Sequence, residues 1–175
     1  TQYKTGNNVT TVKNFAADTA RLLGQTATLA GQATGNVLNQ IYTYDALGNL
    51  LTRLDSSLAV GTTESFSYDS LNRLSIATIQ GGAVSPSTAT QVMYDPRGNI
   101  SYKSDVGYYS YDAARPNRMT QVTLTQPSGW AGTGTPMPNT GSRTLSYAFD
   151  DLKTGSQTIN TTQVNESTVV SDVFH

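Results

Sequence analysis

The segment Tyr42-Thr-Tyr-Asp-Ala-Leu-Gly-Asn-Leu50 decides the fold, because the chain repeats it. It returns as Phe66-Ser-Tyr-Asp-Ser-Leu-Asn-Arg-Leu74 and as Val92-Met-Tyr-Asp-Pro-Arg-Gly-Asn-Ile100. A fourth copy, Tyr109-Ser-Tyr-Asp-Ala-Ala-Arg-Pro-Asn-Arg-Met119, carries two extra residues before its apolar close. The Tyr-Asp pairs stand at 44/45, 68/69, 94/95 and 111/112, so the aspartates are 24, 26 and 17 residues apart. Self-similarity at such a period is the mark of a repeat architecture. Two degenerate copies flank the array. Phe15-Ala-Ala-Asp18-Thr-Ala-Arg21-Leu22 sets its Asp 27 residues before Asp45, and Leu145-Ser-Tyr147-Ala-Phe149-Asp150 puts Phe in the Tyr place.

Each copy reads as strand, tight turn, strand. Side chains recur on one face of a strand every two residues, so Tyr42 and Tyr44 share a face, as do Phe66 and Tyr68, and Tyr109 and Tyr111. The aspartates Asp45, Asp69, Asp95 and Asp112 fall where the strand ends, and an Asp there can accept backbone N–H groups of its own turn. Gly48, Gly98 and Asn72 stand where a positive φ is expected, since glycine and asparagine tolerate it best. Asn49, Arg73 and Asn99 follow, and Leu50, Leu74 and Ile100 open the return strand. The polar stretches Asp55 to Thr63 and Gly81 to Thr90 are expected to be outer turns. One hairpin is marginal in water, so the copies must extend a common sheet.

Composition agrees. The 175 residues include 27 Thr, 17 Ser and 10 Tyr, and only 13% are charged, against about 25% in ordinary domains. Thr and Tyr suit a pleated, half-buried surface. No apolar run approaches the roughly 18 residues of a membrane helix. There is no cysteine, and the one histidine is His175, so cysteine or Ser-His-Asp catalysis and thiolate or histidine metal sites are not expected. A net charge of −1 offers no basic surplus for nucleic acid.

The repeated Tyr-Asp-x-x-Gly-Asn-Leu and Tyr-Asp-x-x-Asn-Arg-Leu elements resemble the YD repeat, also called the RHS repeat, from about Phe15 to Asp150. The resemblance implies an all-β fold of consecutive antiparallel hairpins in a curved, spiralling sheet that forms a segment of a β-shell. Such shells occur in bacterial polymorphic toxins and in C subunits of insecticidal toxin complexes, where they enclose a C-terminal toxin. Related repeats occur in adhesion proteins of the teneurin type. The expected function is therefore structural: containment of a toxin or other polypeptide cargo by a secreted or cell-surface protein, with no enzyme activity, no cofactor and no metal. The expected partners are the rest of the shell and its cargo, with neither nucleic acid nor a membrane span. The alternative is an adhesion or carbohydrate-binding module with a glycan or cell-surface ligand. The self-cleaving protease that often follows such repeats has no convincing counterpart here: Asp150 and Asp151 are adjacent, and adjacent side chains on a strand point to opposite faces. The chain reads as a piece of something longer.

The organisation expected is a repeat strip over 1–151 and a β-like extension over 152–175. Clear repeats run from about 42 to 119, degenerate ones from about 15 to 23 and 145 to 150. A Gly/Pro-rich insertion spans 126–141 and holds the single Trp, Trp130. It is a candidate contact loop for cargo, a lid or a neighbouring wall, unless its Trp simply tucks against the sheet. Ala16 to Ala33 is rich in helix formers, but Gly24, Gly31 and the degenerate repeat favour strands. Thr158 to Val164 and Thr168 to Phe174 alternate as two further strands would.

Overall fold

The computed structural model describes residues 1–57, 61–82, 84–149, 157–163 and 166–174, with side chains described for 1–57, 61–82 and 87–147. Every regular element among them is a strand. In order these are β1 (Gln2–Lys4), β2 (Val9–Phe15), β3 (Leu22–Leu29), β4 (Leu38–Tyr44), β5 (Leu50–Asp55), β6 (Thr62–Tyr68) and β7 (Leu74–Gly81). Then follow β8 (Val84–Tyr94), β9 (Ile100–Lys103), β10 (Gly107–Tyr111), β11 (Met119–Thr123), β12 (Arg143–Phe149), β13 (Gln157–Gln163) and β14 (Glu166–Phe174). The chain forms two compact units, Thr1–Ala89 and Thr90–His175. In the first, β1 to β7 lie side by side in chain order, each antiparallel to the next. In the second, the end of β8 and β9 to β14 do the same. The fold is all-β and made of consecutive hairpins. The helix-rich composition of Ala16 to Ala33 yields to strand β3, and the two alternating C-terminal runs are β13 and β14.

The register shows a device in every motif hairpin. Thr43 pairs with Thr52 but Tyr44 pairs with Leu50, so the return strand holds one extra residue, Leu51. The same one-residue bulge leaves out Ser75 beside Tyr68, Ser101 beside Tyr94, Thr120 beside Tyr111 and Leu23 beside Phe15. A bulge breaks the ladder locally and increases the twist.

Two expectations need correcting. In the first degenerate copy Ala16, not Asp18, occupies the Asp place: the N–H of Ala16 donates to Arg21 O, as that of Asp45 donates to Asn49 O. This turn is one residue longer than the Asp45 turn, so counting back by the repeat period picks the wrong position. The Gly81 to Thr90 stretch is mostly strand, since β8 starts at Val84. Gly81 and Gly82 both take positive φ, 88° and 61°, where β7 ends. The adjacent carboxylates Asp150 and Asp151 lie outside the described residues.

The two faces of the sheet differ in chemistry. Register places Val12, Thr26, Ile41, Thr43, Thr52, Leu54, Thr63, Ser65 and Thr78 on one face of the first unit. From β2 to β7 that face carries no charged side chain. Lys13, Arg53, Asp55 and Glu64 all lie on the other, with Tyr42 and Phe66. The second unit repeats the segregation: Gln91, Met93, Tyr102, Tyr108, Gln121 and Thr123 share the uncharged face, opposite Lys103 and Tyr109.

Candidate functional site

The motif residues converge on the hairpin turns. Asp45 Oδ1 accepts the N–H of Asn49 at 2.8 Å, and Oδ2 accepts Asn49 Nδ2 at 2.8 Å. Asp95 repeats this with Asn99 at 2.9 and 3.0 Å and adds the N–H of Arg97 at 2.9 Å. Asp69 accepts the N–H groups of Leu71 and Arg73, and Arg73 Nε at 2.7 Å. Asp112 accepts the N–H groups of Ala114 and Arg115 and an ion pair from Arg118. The Asn or Arg after the turn thus serves one task in all four copies: it holds the carboxylate oxygen that the backbone leaves over. The positive φ values follow the expectation, 98° at Gly48, 92° at Gly98 and 60° at Asn72.

All four carboxyls are held below the ordinary value of 3.8. The leading cause is the Asn49 side chain for Asp45, the Arg73 N–H for Asp69 and the Arg118 guanidinium for Asp112. At Asp95 burial is the largest influence and pushes upward, but the bonds from Asn99 and Arg97 outweigh it. Carboxylates that accept this many donors stay ionised and act as caps. Among the described residues, no three metal-ligating side chains come together.

The motif tyrosines have a role that the spacing alone does not show. Tyr44 Oη donates to Leu22 O at 2.8 Å, Tyr68 Oη to Leu50 O at 2.8 Å, and Tyr111 Oη to Ile100 O at 2.7 Å. Each acceptor is the apolar residue that closes the preceding repeat, directly before its bulged residue. The hydroxyl therefore bolts one repeat to the one before. Burial pushes the Tyr111 hydroxyl up to about 12, so it stays a donor. A second inter-repeat link runs along the turns: Asn49 Nδ2 donates to Asn72 Oδ1, Asn99 Nδ2 to Pro116 O, and Arg21 Nη1 to Asp45 O, each at 3.0 Å.

The Gly/Pro-rich segment 126–141 crosses the uncharged face of the second unit. Trp130 Nε1 donates to Ser101 O at 2.8 Å, and its ring meets Tyr108 edge-on at 5.5 Å between centroids. Further along, Gln91 Oε1 accepts the N–H of Met137 at 2.7 Å, and Tyr102 Oη donates to Met137 O at 2.5 Å. Gln91 Nε2 reaches Thr135 O, and Ser104 O accepts the N–H of Thr140 at 2.7 Å. Beneath the segment Tyr102 is fully buried. Beside its start a cleft of about 500 Å³ opens between Trp130, Tyr109, Tyr111 and Arg97. Neither Gln91 nor Tyr102 was legible as a site residue, since both lie outside the Tyr-Asp pattern or at its edge.

No family model matches the chain. Toxin subunit YenC1 of Yersinia entomophaga is 32% identical over 125 residues, which covers 65% of this chain and 13% of that subunit. The chain thus spans about an eighth of the length of the curated relative it matches. Among solved structures, it is similar to the crystal structure of TcdB2-TccC3-TEV (12% identity, TM-score 0.33, 99% of this chain and 12% of that one). The Photorhabdus luminescens Tc holotoxin pore gives 12% identity and a TM-score of 0.35, over 98% of this chain and 12% of that one. Scores this low carry no function across. The chain is thus similar in sequence to a toxin subunit, and its Tyr-Asp hairpins recur in register as the resemblance to the RHS/YD repeat implies.

Proposed function

We propose that this chain is a stretch of wall in an RHS/YD shell that encloses and protects a C-terminal polypeptide cargo of a secreted or cell-surface toxin. Its work is containment rather than catalysis. The observation that supports this best is the tyrosine bolt. The repeats of Tyr44, Tyr68 and Tyr111 each donate a side-chain bond to the repeat before, so hairpins of one design can be added in series to any length, as a wall requires. The 32% identity to a toxin subunit supplies the biological setting. The faces fit too: an uncharged hydroxyl-and-amide surface offers an enclosed polypeptide no strong charge to bind.

The test is limited proteolysis of the longest natural protein that contains this stretch, followed by mass spectrometry of what lies C-terminal to the repeats. On this reading that segment is cut slowly while the repeats are folded and fast once they are melted. A segment cut equally fast with the repeats folded, or cut no faster when expressed alone, would rule containment out.

A further inference from the structure

The segment 126–141 shows how the uncharged face of the second unit holds a polypeptide. Between Trp130 and Asn139 the sheet's hydrogen bonds go to its main chain, and only at its end do side chains join in, Asn139 Nδ2 to Leu124 O and Thr140 Oγ1 to Ser104 O. Gln91 takes both polarities, accepting from the Met137 N–H and donating to Thr135 O. Tyr102 donates to Met137 O, and Ser104 O takes the Thr140 N–H. These bonds use groups that every non-proline residue carries, so they do not depend on which side chains the segment bears. Extended recognition of this kind draws its affinity from the main chain. The groove floor adds no charge: Gln91, Met93, Tyr102 and Tyr108 are all neutral. One side chain supplies an anchor, Trp130, on Tyr108 and Ser101 O. The equivalent places in the first unit hold Ile41 and Thr52 or Ser65 and Ile76, none of which can form the Gln–Tyr clamp.

We infer that the face around Gln91, Met93, Tyr102 and Tyr108 is a binding groove for an extended, uncharged, Gly/Pro-rich polypeptide with one aromatic anchor. The chain's own 126–141 segment fills it in cis, and a segment of the same chemistry from another polypeptide can take its place. This stands independently of the shell reading, because it needs only the second unit's own geometry. A cis segment on a short tether competes at an effective concentration of order millimolar, so the groove is masked until the segment lets go.

The probe is a fluorescent synthetic peptide of residues 126–141, titrated against the full 175-residue chain and followed by anisotropy. Trp130→Ala, which removes the cis anchor, is expected to raise affinity for the peptide at least about tenfold over the unaltered chain. Adding Gln91→Ala to that variant is expected to abolish the gain. A peptide carrying alanine at the places of Thr135 and Met137 is expected to bind within about twofold of the original, since only main-chain groups there are held. A Trp130→Ala chain with intact β-sheet circular dichroism that binds no better overturns the inference, as does binding indifferent to Gln91→Ala. Should Trp130→Ala unfold the chain, hydrogen exchange on the unaltered protein decides. Excess peptide is expected to speed exchange at the Met137 amide, and an unchanged rate overturns the proposal.

Discussion

The first unit and the second use the same hairpin, the same bulge and the same capped turn, but they differ in what covers them. Among the described residues, the first unit buries only Thr11, Ala27 and two glycines, and it exposes ten large apolar side chains, Ile41 and Leu71 among them. The second unit buries Val92, Met93, Tyr102 and Val122, with Asp95, Ser101 and Ser104. Part of the difference is segment 126–141, which lies over Met93 and Tyr102 on the uncharged face, whereas Val92 and Val122 are on the opposite one. Ladder bonds and caps are therefore enough to define the repeat, while a dry interior is an added feature that needs a second layer. A single sheet has no inside until something packs on one face.

Removing that interior is expected to give the largest effect. Tyr102 is fully buried and bonded to Met137 O, so Tyr102→Ala should lower the stability of the second unit by about 3–5 kcal/mol. Thr52 holds the equivalent register place in the first unit, and Thr52→Ala should stay within about 0.5 kcal/mol. Denaturant melts of both variants check this. Similar losses at the two places would show that the units do not differ in burial as described.

The caps sharpen the contrast next. Asp95 is 6% exposed and accepts three part-buried donors, so Asp95→Ala leaves them unpaired and should cost about 1–3 kcal/mol. Asp45→Ala should act in the same direction with a smaller loss, because Asp45 is less buried and accepts two donors rather than three. Acid should show the same order. Each carboxyl has a folded value below its unfolded one, so its contribution is complete above the ordinary carboxylate range and disappears as pH falls through the lowered value. Melting temperature should therefore fall below about pH 4, and less steeply in Asp95→Ala than in the unaltered chain. Equal slopes would show that the cap bonds do not drive the acid response.

The glycines separate strain from space. At Gly48 a side chain would meet only the movable end of Arg21, so the cost of Gly48→Val is its φ of 98°, about 1–2 kcal/mol. At Gly107, with φ 139°, a Cβ would run into the backbone oxygen of Thr123. Gly107→Ala should therefore destabilise more than Gly48→Ala, and the reverse order in thermal melts would mean that the second unit is the looser of the two.

What could be read from residues alone follows the range of each interaction. The hairpins, the caps at Asp45, Asp69, Asp95 and Asp112 and the positive φ at Gly48, Asn72 and Gly98 are settled within a few residues, so spacing reveals them. The Ala16 turn defeated that reading because one added residue shifts the period while an alanine stands in the Asp place. Gly81 to Thr90 reads as a loop because its Ser and Thr are polar, yet β8 already starts at Val84. The course of 126–141 was the least legible. Its partners Gln91, Ser101 and Tyr102 stand 29 to 46 residues away, and nothing in a Gly/Pro-rich run says which face it will cross.

The smallest expected effect tests what the two units share. Tyr68→Phe keeps the ring and deletes only the hydroxyl that bonds Leu50 O, a link between neighbouring repeats in the first unit. Tyr111→Phe does the same to the bond with Ile100 O in the second. Each should cost about 0.5–1.5 kcal/mol, the usual net value of one hydrogen bond. The more buried Tyr111 site should lie at the upper end, because water is slower to replace the lost donor there. The first degenerate copy provides an internal control. Phe15 already occupies the tyrosine place without a hydroxyl, and its hairpin keeps the same bulge. The hydroxyl is thus not needed to form a repeat, only to fasten it to its neighbour. Hydrogen exchange can tell these apart: Tyr68→Phe should loosen the amides of β5 and β6 together while leaving the turn N–H of Arg73 protected by Asp69. Loss of protection at that turn instead would show that the tyrosine holds its own hairpin rather than the one before.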